Sequence, residues 1–173
     1  MSVLLKLILR PAGPADLTRL AEIESGSFET DRISPRSFRA LMASETAYVI
    51  VAETDGDILG YAMVLFRRGT GVARLYSLAV DRKAIGLGLG KRLVGEAELE
   101  TERRGRTSLR LEVHEKNVFA IALYRNCGYQ PIGRYETYYG DGGAALRFEK
   151  TIGALQPAAT GRLLADDARR AAL

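Results

Sequence analysis

The sequence predicts one α/β domain with a mixed central sheet of about seven strands, flanked by about four helices. Its 173 residues, 47% of them hydrophobic, can bury a substantial core but are few for two independent domains. Segments with strand-like and helix-like hydrophobic spacing follow one another in the order β, α, α, β, β, β, α, β, α, β, β. Hairpins come first and strand-helix-strand connections later, which predicts a sheet with helices in the layers on either side.

One strand and one helix are predicted at the start of the chain. Residues 3–9 are apolar around a single lysine and are followed by two prolines, which is typical of a strand that ends there. Residues 16–28 place four residues at helical spacing and are therefore predicted to be a helix. These four are Leu17, Leu20, Ile23 and Glu24.

A second helix and a hairpin follow. Ser34 can cap a helix whose first position is Pro35, so residues 34–43 are predicted to be helical. Residues 48–53 and 58–66 are rich in β-branched and aromatic residues, and the Thr-Asp-Gly-Asp sequence between them is typical of a hairpin turn.

The next strand and helix flank a glycine-rich turn. Residues 72–80 are predicted to be a strand, and alternate residues along it should share one face. These are Val72, Arg74, Tyr76, Leu78 and Val80. From Gly88 the spacing becomes helical, and Gly105 ends the helix. Its apolar stripe consists of Leu89, Leu93, Val94 and Ala97.

The last part of the predicted domain contains three strands and one helix. Asn117 can cap a helix that ends near Gly128 and follows a strand over residues 108–114. Two further strands are predicted over residues 129–138 and 145–151. We expect residues 1–152 to form the domain. Residues 153–173, with the composition of one more amphipathic helix, should form a tail.

Composition limits the classes of function. The 25 Lys+Arg against 21 Asp+Glu give a net charge of +4, but no basic run interleaved with aromatic residues marks a nucleic-acid surface. No stretch approaches the roughly 20 apolar residues of a membrane span. The single cysteine, Cys127, permits no intrachain disulfide. We therefore expect a cytoplasmic protein that binds neither membranes nor nucleic acid.

The turn that carries Gly86, Gly88 and Gly90 is a candidate phosphate site. A strand leads into it and a helix begins within it, so several backbone N–H groups should point into one cavity at the positive end of the helix dipole. Lys91 adds a positive charge. The alternative is a tight connection that needs glycine only for its backbone geometry.

Two common nucleotide motifs do not fit this turn. The Walker motif needs glycine and Ser or Thr at the positions of Ile85 and Arg92. The dinucleotide motif needs glycine at the position of Lys91. A nucleotide triphosphatase and a dinucleotide-binding enzyme are therefore not favoured.

The turn and the segment after it resemble the GNAT superfamily of acetyltransferases. The superfamily signature on this turn is Gln or Arg, two residues, Gly, one residue, then Gly or Ala, and it maps onto residues 85–90 with Ile85 as the departure. The similarity continues through the Leu-Glu-Val sequence at 111–113, the Asn-x-x-Ala-x-x-Leu-Tyr pattern at 117–124 and the Tyr pair at 138–139. It covers about residues 7–151 and is strongest to enzymes that acetylate the N-terminal alanine of a ribosomal protein.

This resemblance implies a mostly antiparallel sheet and direct acetyl transfer from acetyl-CoA, without a metal, to a primary amine. The amine would be the N-terminus of a protein or peptide. Glu112 would be the general base, acting through water, and Tyr124 would protonate the coenzyme A sulfur, while an N–H near Leu78 would bind the oxyanion. The implied cofactor-binding residues are Leu78, Ala79, Val80, Gly86, Leu87, Gly88, Leu89, Gly90, Lys91 and Asn117.

The acceptor side and several alternatives stay open. Tyr135, Tyr138 and Tyr139 are expected to line the acceptor entrance, and Arg134 to steer an acidic chain there. Glu112 could instead form an ion pair with Arg110, Tyr124 could be a core residue, and His114 is a rival base. Cys127 is expected to be a buried helix-end residue rather than a nucleophile. A small-molecule amine acetyltransferase, a non-catalytic coenzyme A or anion-binding module, and either a monomer or a homodimer remain compatible with the sequence.

Overall fold

The computed structural model describes residues 6–153 and contains seven strands and four α-helices in the predicted order. The elements are β1 (Leu7–Pro11), α1 (Leu17–Ser27), α2 (Pro35–Met42), β2 (Ala47–Thr54), β3 (Asp57–Phe66), β4 (Val72–Val80), α3 (Leu89–Arg103), β5 (Ser108–His114), α4 (Val118–Asn126), β6 (Gln130–Tyr135) and β7 (Ala145–Thr151). The predicted helical tail lies outside the described residues. No helix within residues 6–153 is long and apolar enough to cross a membrane.

The seven strands form one sheet in the order β1-β2-β3-β4-β5-β7-β6. Every neighbouring pair is antiparallel except β4 and β5, which are parallel and are connected through α3. This confirms the predicted mixed, mostly antiparallel sheet. The parallel pair needs a long connection, and α3 supplies it across one face of the sheet.

The two parallel strands pair over only part of their length. Residues 72–75 of β4 face residues 108–111 of β5. Beyond Leu75, β4 remains paired with β3 as far as Val80, while β5 remains paired with β7 as far as His114. The adjacent edges of β4 and β5 are therefore open toward each other from Tyr76 and Glu112 onward, and the sheet is split at its centre.

A β-bulge lies where the split begins. Met63 of β3 faces Ser77, whereas the next residue, Val64, faces Leu75, so Tyr76 is an extra residue in β4. The bulge reverses the alternation of side chains. Leu75 before it and Leu78 after it pack in the same hydrophobic cluster. The predicted single face over Val72, Arg74, Tyr76, Leu78 and Val80 is therefore wrong.

Helices cover both faces of the sheet. On one face, α1 and α2 bury Leu20, Ile23 and Phe38 against the sheet. On the other, α3 and α4 bury a second cluster. All four residues of the predicted α3 stripe are buried. Gly60 lets α3 approach the sheet, because a Cβ there would lie 2.9 Å from the Ala79 carbonyl oxygen and 3.2 Å from Leu93 Cδ1.

Both predicted helix caps are present, but one predicted strand is too long. The Ser34 hydroxyl accepts a hydrogen bond from the Ser37 N–H at 3.1 Å, and Asn117 Oδ1 accepts one from the Ala120 N–H at 3.1 Å. Strand β6 ends at Tyr135 instead of residue 138. Thr137 has a left-handed backbone, with φ of 47°, which the extended conformation of a strand does not allow.

Candidate active site

The opening between β4 and β5 contains a cleft with a volume of about 480 Å³. Its walls are residues of β4 and β5, the start of α4, and two connections that we name by their ends: the α1–α2 loop, residues 28–34, and the β6–β7 loop, residues 136–144. Glu112, Asn117, Tyr124, Tyr138 and Tyr139 all line this cleft. With Leu78, which also lines the cleft, the fold thus brings six of the predicted site residues to one place.

The glycine turn has free backbone donors at the start of α3. Gly86 and Gly88 have left-handed backbones, with φ of 88° and 76°, and Gly88 is the N-terminal cap residue of the helix. No backbone acceptor within the described residues receives the N–H groups of Gly86, Gly88, Leu89, Gly90 and Lys91. Free N–H groups at the positive end of a 15-residue helix can hydrogen-bond to an anion.

The backbone N–H groups of Ile85 and Leu87 already have partners within the protein. The Leu87 N–H donates to the Ala84 carbonyl at 3.3 Å, and the Ile85 N–H to the Arg82 carbonyl at 3.4 Å. Neither N–H is therefore free for a phosphate. The side chains of both residues are exposed, 62% for Leu87 and 68% for Ile85.

The C-terminal half of β4 offers an open strand edge next to the turn. Leu78, Ala79 and Val80 pair with β3 along one edge, and their other edge has no partner strand within residues 6–153. Leu78 also lines the cleft. An extended ligand with amide groups can hydrogen-bond along such an edge as an added strand.

Glu112 is hydrogen-bonded to one arginine in the cleft and lies near a second. Its Oε2 accepts a hydrogen bond from Arg74 Nε at 2.8 Å, and its Oε1 lies 4.0 Å from Arg147 Nε. Arg110 instead donates to Glu149 on β7 at 2.7 Å. The alternative ion pair between Glu112 and Arg110 is therefore wrong, although Glu112 is still part of a charge cluster.

Tyr124 is a buried residue whose ring forms part of the cleft wall. It lies on α4, seven residues after the cap residue Asn117 and four after Ala120, and this spacing places all three on the side of the helix toward the cleft. Burial raises the pKa of the Tyr124 hydroxyl well above its ordinary value. The hydroxyl is thus kept protonated, as a proton donor must be.

The side-chain oxygen of Asn117 is used to cap α4, and its side-chain NH₂ group is available to a ligand. Its side-chain oxygen caps α4 by accepting the Ala120 N–H. Its side-chain NH₂ makes no hydrogen bond within the described residues and can donate to a ligand carbonyl.

His114 is engaged at both ring nitrogens. Nδ1 accepts the Lys116 N–H at 3.1 Å, so the ring proton is assigned to Nε2, which lies 2.9 Å from Asp141 Oδ2. The ring also stacks on Tyr139, with 4.9 Å between centroids. An imidazole in this arrangement has no free lone pair to accept a proton, which argues against His114 as the base.

Tyrosines from the β6–β7 loop complete the wall. The Tyr138 hydroxyl accepts a hydrogen bond from Arg74 Nη2 at 2.7 Å. Burial is the main cause that raises the pKa of Tyr139 to about 12.

Arg134 lies on β6 and does not line the cleft. It is ion-paired with Glu115 at 2.8 Å and with Glu136. The structure therefore offers no support for Arg134 as a residue that steers an acidic chain.

Several cleft residues had not been predicted. Arg74 contacts both Glu112 and Tyr138. Glu24, 2% exposed, accepts the Ile33 N–H at 2.7 Å and the Tyr61 hydroxyl, which in turn is 2.8 Å from Ser77 Oγ. The sequence does carry a signal for Glu24, because this carboxylate stands where the helical spacing predicts a buried apolar residue. Arg74 gave no such signal, because its partners are 38 and 64 residues away.

The cysteine has the properties expected of a helix-end residue. Cys127 follows the last residue of α4, is half-buried, and packs against the hydrophobic cluster. Burial is the main cause that raises the pKa of its thiol. A raised pKa disfavours the thiolate that a nucleophile requires.

The chain is similar to known acetyltransferases. Residues 16–129 match the sequence profile described as the Acetyltransferase (GNAT) family. N-alpha-acetyltransferase RimI of Mycobacterium tuberculosis is 35% identical over 133 residues, which are 75% of this chain and 82% of that protein. An uncharacterised protein of Mycobacterium leprae is 34% identical over 150 residues, which are 80% of this chain but only 38% of that protein.

A solved structure shows the same architecture. The ribosomal-protein-S18-alanine N-acetyltransferase of Escherichia coli matches with a TM-score of 0.76 and 26% sequence identity, over 85% of this chain and 94% of that one. The profile covers well over half of the chain. The chain therefore belongs to the GNAT family of acetyltransferases.

Proposed function

We propose that this protein transfers an acetyl group directly from acetyl-CoA to the N-terminal amine of a protein or peptide. The observation that carries the proposal is the separation of β4 from β5 beyond Leu75. It leaves an open β4 edge, leading to the free N–H groups of the glycine turn, beside a cleft that contains Glu112 and Tyr124.

The residues present fit acetyl-CoA. The N–H groups at the start of α3, with Lys91 nearby, suit the pyrophosphate. The open edge of Leu78, Ala79 and Val80 suits the two amides of the pantetheine arm, and the Asn117 NH₂ can donate to one of its carbonyls. Once bound, acetyl-CoA supplies a thioester carbonyl carbon as the electrophile.

Glu112 has the function of general base in this proposal. It would accept the proton of the acceptor ammonium through a water molecule, and the amine nitrogen then forms its bond to the carbonyl carbon. An α-amino group has a pKa of about 8, whereas that of a lysine amine is about 10.4. A carboxylate acting through water is therefore better matched to a chain N-terminus than to a lysine side chain.

Tyr124 has the function of general acid. As the carbon–sulfur bond breaks, its hydroxyl would donate a proton to the departing thiolate. The N–H groups near Leu78, beside the bulge, would stabilise the negative charge on the carbonyl oxygen. One nitrogen–carbon bond forms and one carbon–sulfur bond breaks. The nitrogen then loses its second proton to solvent, Glu112 releases the first, and Tyr124 is reprotonated from solvent, so that one proton is released overall.

The shape of the cleft supports a chain end as the acceptor. The Gly140 N–H of the β6–β7 loop donates to Asp31 Oδ2 of the α1–α2 loop at 2.9 Å, so the two loops meet at the cleft. Residues of both loops line the cleft. An extended terminus enters such a confined space more easily than the middle of a folded chain. The names of the two characterised relatives, an N-alpha-acetyltransferase and an alanine N-acetyltransferase, agree with this acceptor.

A pair of matched peptides tests the proposal. One peptide has a free N-terminus and no lysine, and the other has a blocked N-terminus and one internal lysine. With acetyl-CoA present, we expect mass spectrometry to find one acetyl group on the first peptide, located at its N-terminus. Acetylation of the lysine peptide alone, or of small monoamines alone, would overturn the N-terminal assignment. The second outcome would favour the small-molecule alternative.

A further inference from the structure

The cleft has a charge opposite to that of the whole chain. Five carboxylates line it, those of Glu24, Glu29, Asp31, Glu112 and Asp141, against a single arginine, Arg74, and no lysine. The chain as a whole carries a net charge of +4. Negative charge is therefore concentrated in the cleft, and a cleft of one sign attracts ligands of the other.

Two of these carboxylates are accounted for by their contacts. Glu112 is ion-paired with Arg74 at 2.8 Å. Glu24 is buried at the back of the cleft, where desolvation raises its pKa and its oxygens accept the Ile33 N–H and the Tyr61 hydroxyl. Neither adds a free negative charge at the entrance.

The other three carboxylates, Glu29, Asp31 and Asp141, form what we call the acidic mouth. All three are exposed. Glu29 makes no ion pair or hydrogen bond within residues 6–153, and Asp31 accepts only the Thr30 hydroxyl and the Gly140 N–H, both uncharged. Their charges are therefore not cancelled by a neighbouring cation in direct contact.

Asp141 retains its charge despite its histidine neighbour. The Lys116 N–H donates to Nδ1 of His114, so a ring proton is assigned to Nε2, which donates to Asp141. The Gly143 N–H and this ring hold the pKa of Asp141 below its ordinary value. Lys116 contributes to that shift from a greater distance and is not part of the cleft wall.

The three residues are close together because the two loops touch. Asp31 is bonded to the N–H of Gly140, the residue directly before Asp141. Arg32, the cation nearest in the α1–α2 loop, donates to the Phe28 carbonyl and does not line the cleft.

We infer that the acidic mouth selects acceptors that carry a second positive charge close to the reacting amine. This inference rests on the proposed function and specifies its substrate class. The second charge can belong to a basic side chain near the N-terminus of a peptide or to a further amine of a polyamine, since both present the same chemistry to the three carboxylates. Of these, the proposed function favours the peptide.

The test uses three peptides with a free N-terminal alanine that differ only at the second residue, as Arg, Gln or Glu. For the unmodified protein we expect the lowest KM with Arg and the highest with Glu. The double variant Glu29→Gln with Asp31→Asn removes two charges and keeps the shapes of both side chains. Asparagine also keeps the oxygen that accepts the Gly140 N–H and tolerates the φ of 55° at this position.

In the double variant we expect the KM for the Arg peptide to rise by about fivefold and the KM for the Gln peptide to stay nearly constant, because exposed charges act with modest strength. The advantage of the Arg peptide should also shrink as salt is raised. Asp55→Asn is the matched control, an exposed residue with φ of 50° in the β2–β3 turn, and it should leave every KM unchanged.

The outcomes separate this inference from the proposed function. Equal kcat/KM for the three peptides in the unmodified protein would overturn the acidic mouth and leave N-terminal transfer standing. Acetylation of spermidine with rejection of all peptides would support the acidic mouth and overturn N-terminal transfer. The absence of transfer to any of these amines would overturn both.

Discussion

Glu112 is the residue on which the chemistry depends most, and the hydrogen bond from Arg74 sets its position, with Arg147 4.0 Å away. Arg74 also holds the Tyr138 hydroxyl, so one guanidinium links the base to the wall of the acceptor side. A group held on several sides keeps its geometry when the acceptor arrives, which is how positioning contributes to rate.

Replacing Glu112 by glutamine should remove the base and keep the shape of the site. We expect Glu112→Gln to lower kcat by a factor of about 10² to 10⁴, because an amide cannot accept the proton. The affinity for acetyl-CoA, measured by calorimetric titration, should be nearly unchanged. Glu149→Gln removes the partner of Arg110 on the neighbouring strand and is the matched control. Equal rates in Glu112→Gln and Glu149→Gln would refute the assignment.

The raised pKa of Tyr124 predicts a pH profile. Burial favours the neutral phenol, so the folded-state pKa lies above the ordinary value of 10 and the donor keeps its proton as pH rises to that value. The kcat of the unmodified protein should therefore not fall between about pH 7 and pH 10 through loss of this proton. Fixed-time assays of product formation between pH 7 and pH 10 measure this kcat.

Replacing Tyr124 by phenylalanine should lower kcat by about 10² at all these pH values, because the leaving thiolate then has no donor. Tyr48→Phe is the control, since Tyr48 is likewise a tyrosine with a raised pKa but packs beside Arg104, outside the cleft. An unchanged kcat in Tyr124→Phe would show that the proton comes from elsewhere.

At the scale of elements, the glycine turn joins the fold to the cofactor. Gly88 has a φ of 76°, and a Cβ there would meet no atom within 4 Å, so only the backbone conformation requires glycine. We expect Gly88→Ala to cost about 1–2 kcal/mol of unfolding free energy and to weaken acetyl-CoA binding as the N–H groups move.

The hairpin offers a matched control for this turn. Gly56 has a φ of 82° and also has open space around its Cβ position. Gly56→Ala should lose a similar unfolding free energy, measured in urea, and bind acetyl-CoA normally. If both variants lost affinity to the same extent, the effect of Gly88→Ala would be one of general stability and the cradle would be refuted.

The corner between β1 and α1 is held by a partly buried ion pair. Arg10 donates two hydrogen bonds to Asp16, at 2.8 and 3.0 Å, and one to Glu53 at 2.7 Å. Arg10→Met would leave the buried Asp16 without its cation, and we expect a loss of about 2 kcal/mol at neutral pH. Arg134→Met, which breaks an exposed pair, should lower the free energy of unfolding much less than Arg10→Met does.

This pair also predicts how stability depends on pH. The hydrogen bonds from Arg10 are the main cause that lowers the pKa of Asp16 below its ordinary 3.8. The stabilisation is therefore present above that value and is lost as pH falls through the lowered pKa of the folded state. In urea unfolding, the difference between the unmodified protein and Arg10→Met should shrink between about pH 7 and about pH 3. A constant difference would contradict the pairing.

Most elements were predictable because their signals are local. The caps at Ser34 and Asn117, the hairpin turn and the apolar stripe of α3 depend on residues within one or two turns of each other, and all are confirmed. The bulge at Tyr76 was not predictable, because it exists only relative to the partner strand β3. The position of β7 between β5 and β6 was not predictable either, because it depends on which strands pair.

At the scale of the whole molecule, the split sheet creates a cleft that no single segment contains. Asn117 and Tyr124 follow Glu112 within one strand-helix unit, so a sequence pattern could point to all three. Asp31, Arg74 and Asp141 come from distant parts of the chain and meet only in the fold. The charge of the acceptor side was therefore out of reach of the sequence, which led us to expect an acidic acceptor, whereas the acidic mouth that we infer favours a basic one.

Thermal unfolding of the protein with and without acetyl-CoA shows whether the native state binds this cofactor. A ligand that binds the native state at a hundredfold excess over its Kd adds about 2.7 kcal/mol of unfolding free energy. For a domain of this size we expect Tm to rise by about 5–10 °C. The rise should be smaller in Gly88→Ala and complete in Gly56→Ala. An unchanged Tm of the unmodified protein at millimolar acetyl-CoA would contradict the account.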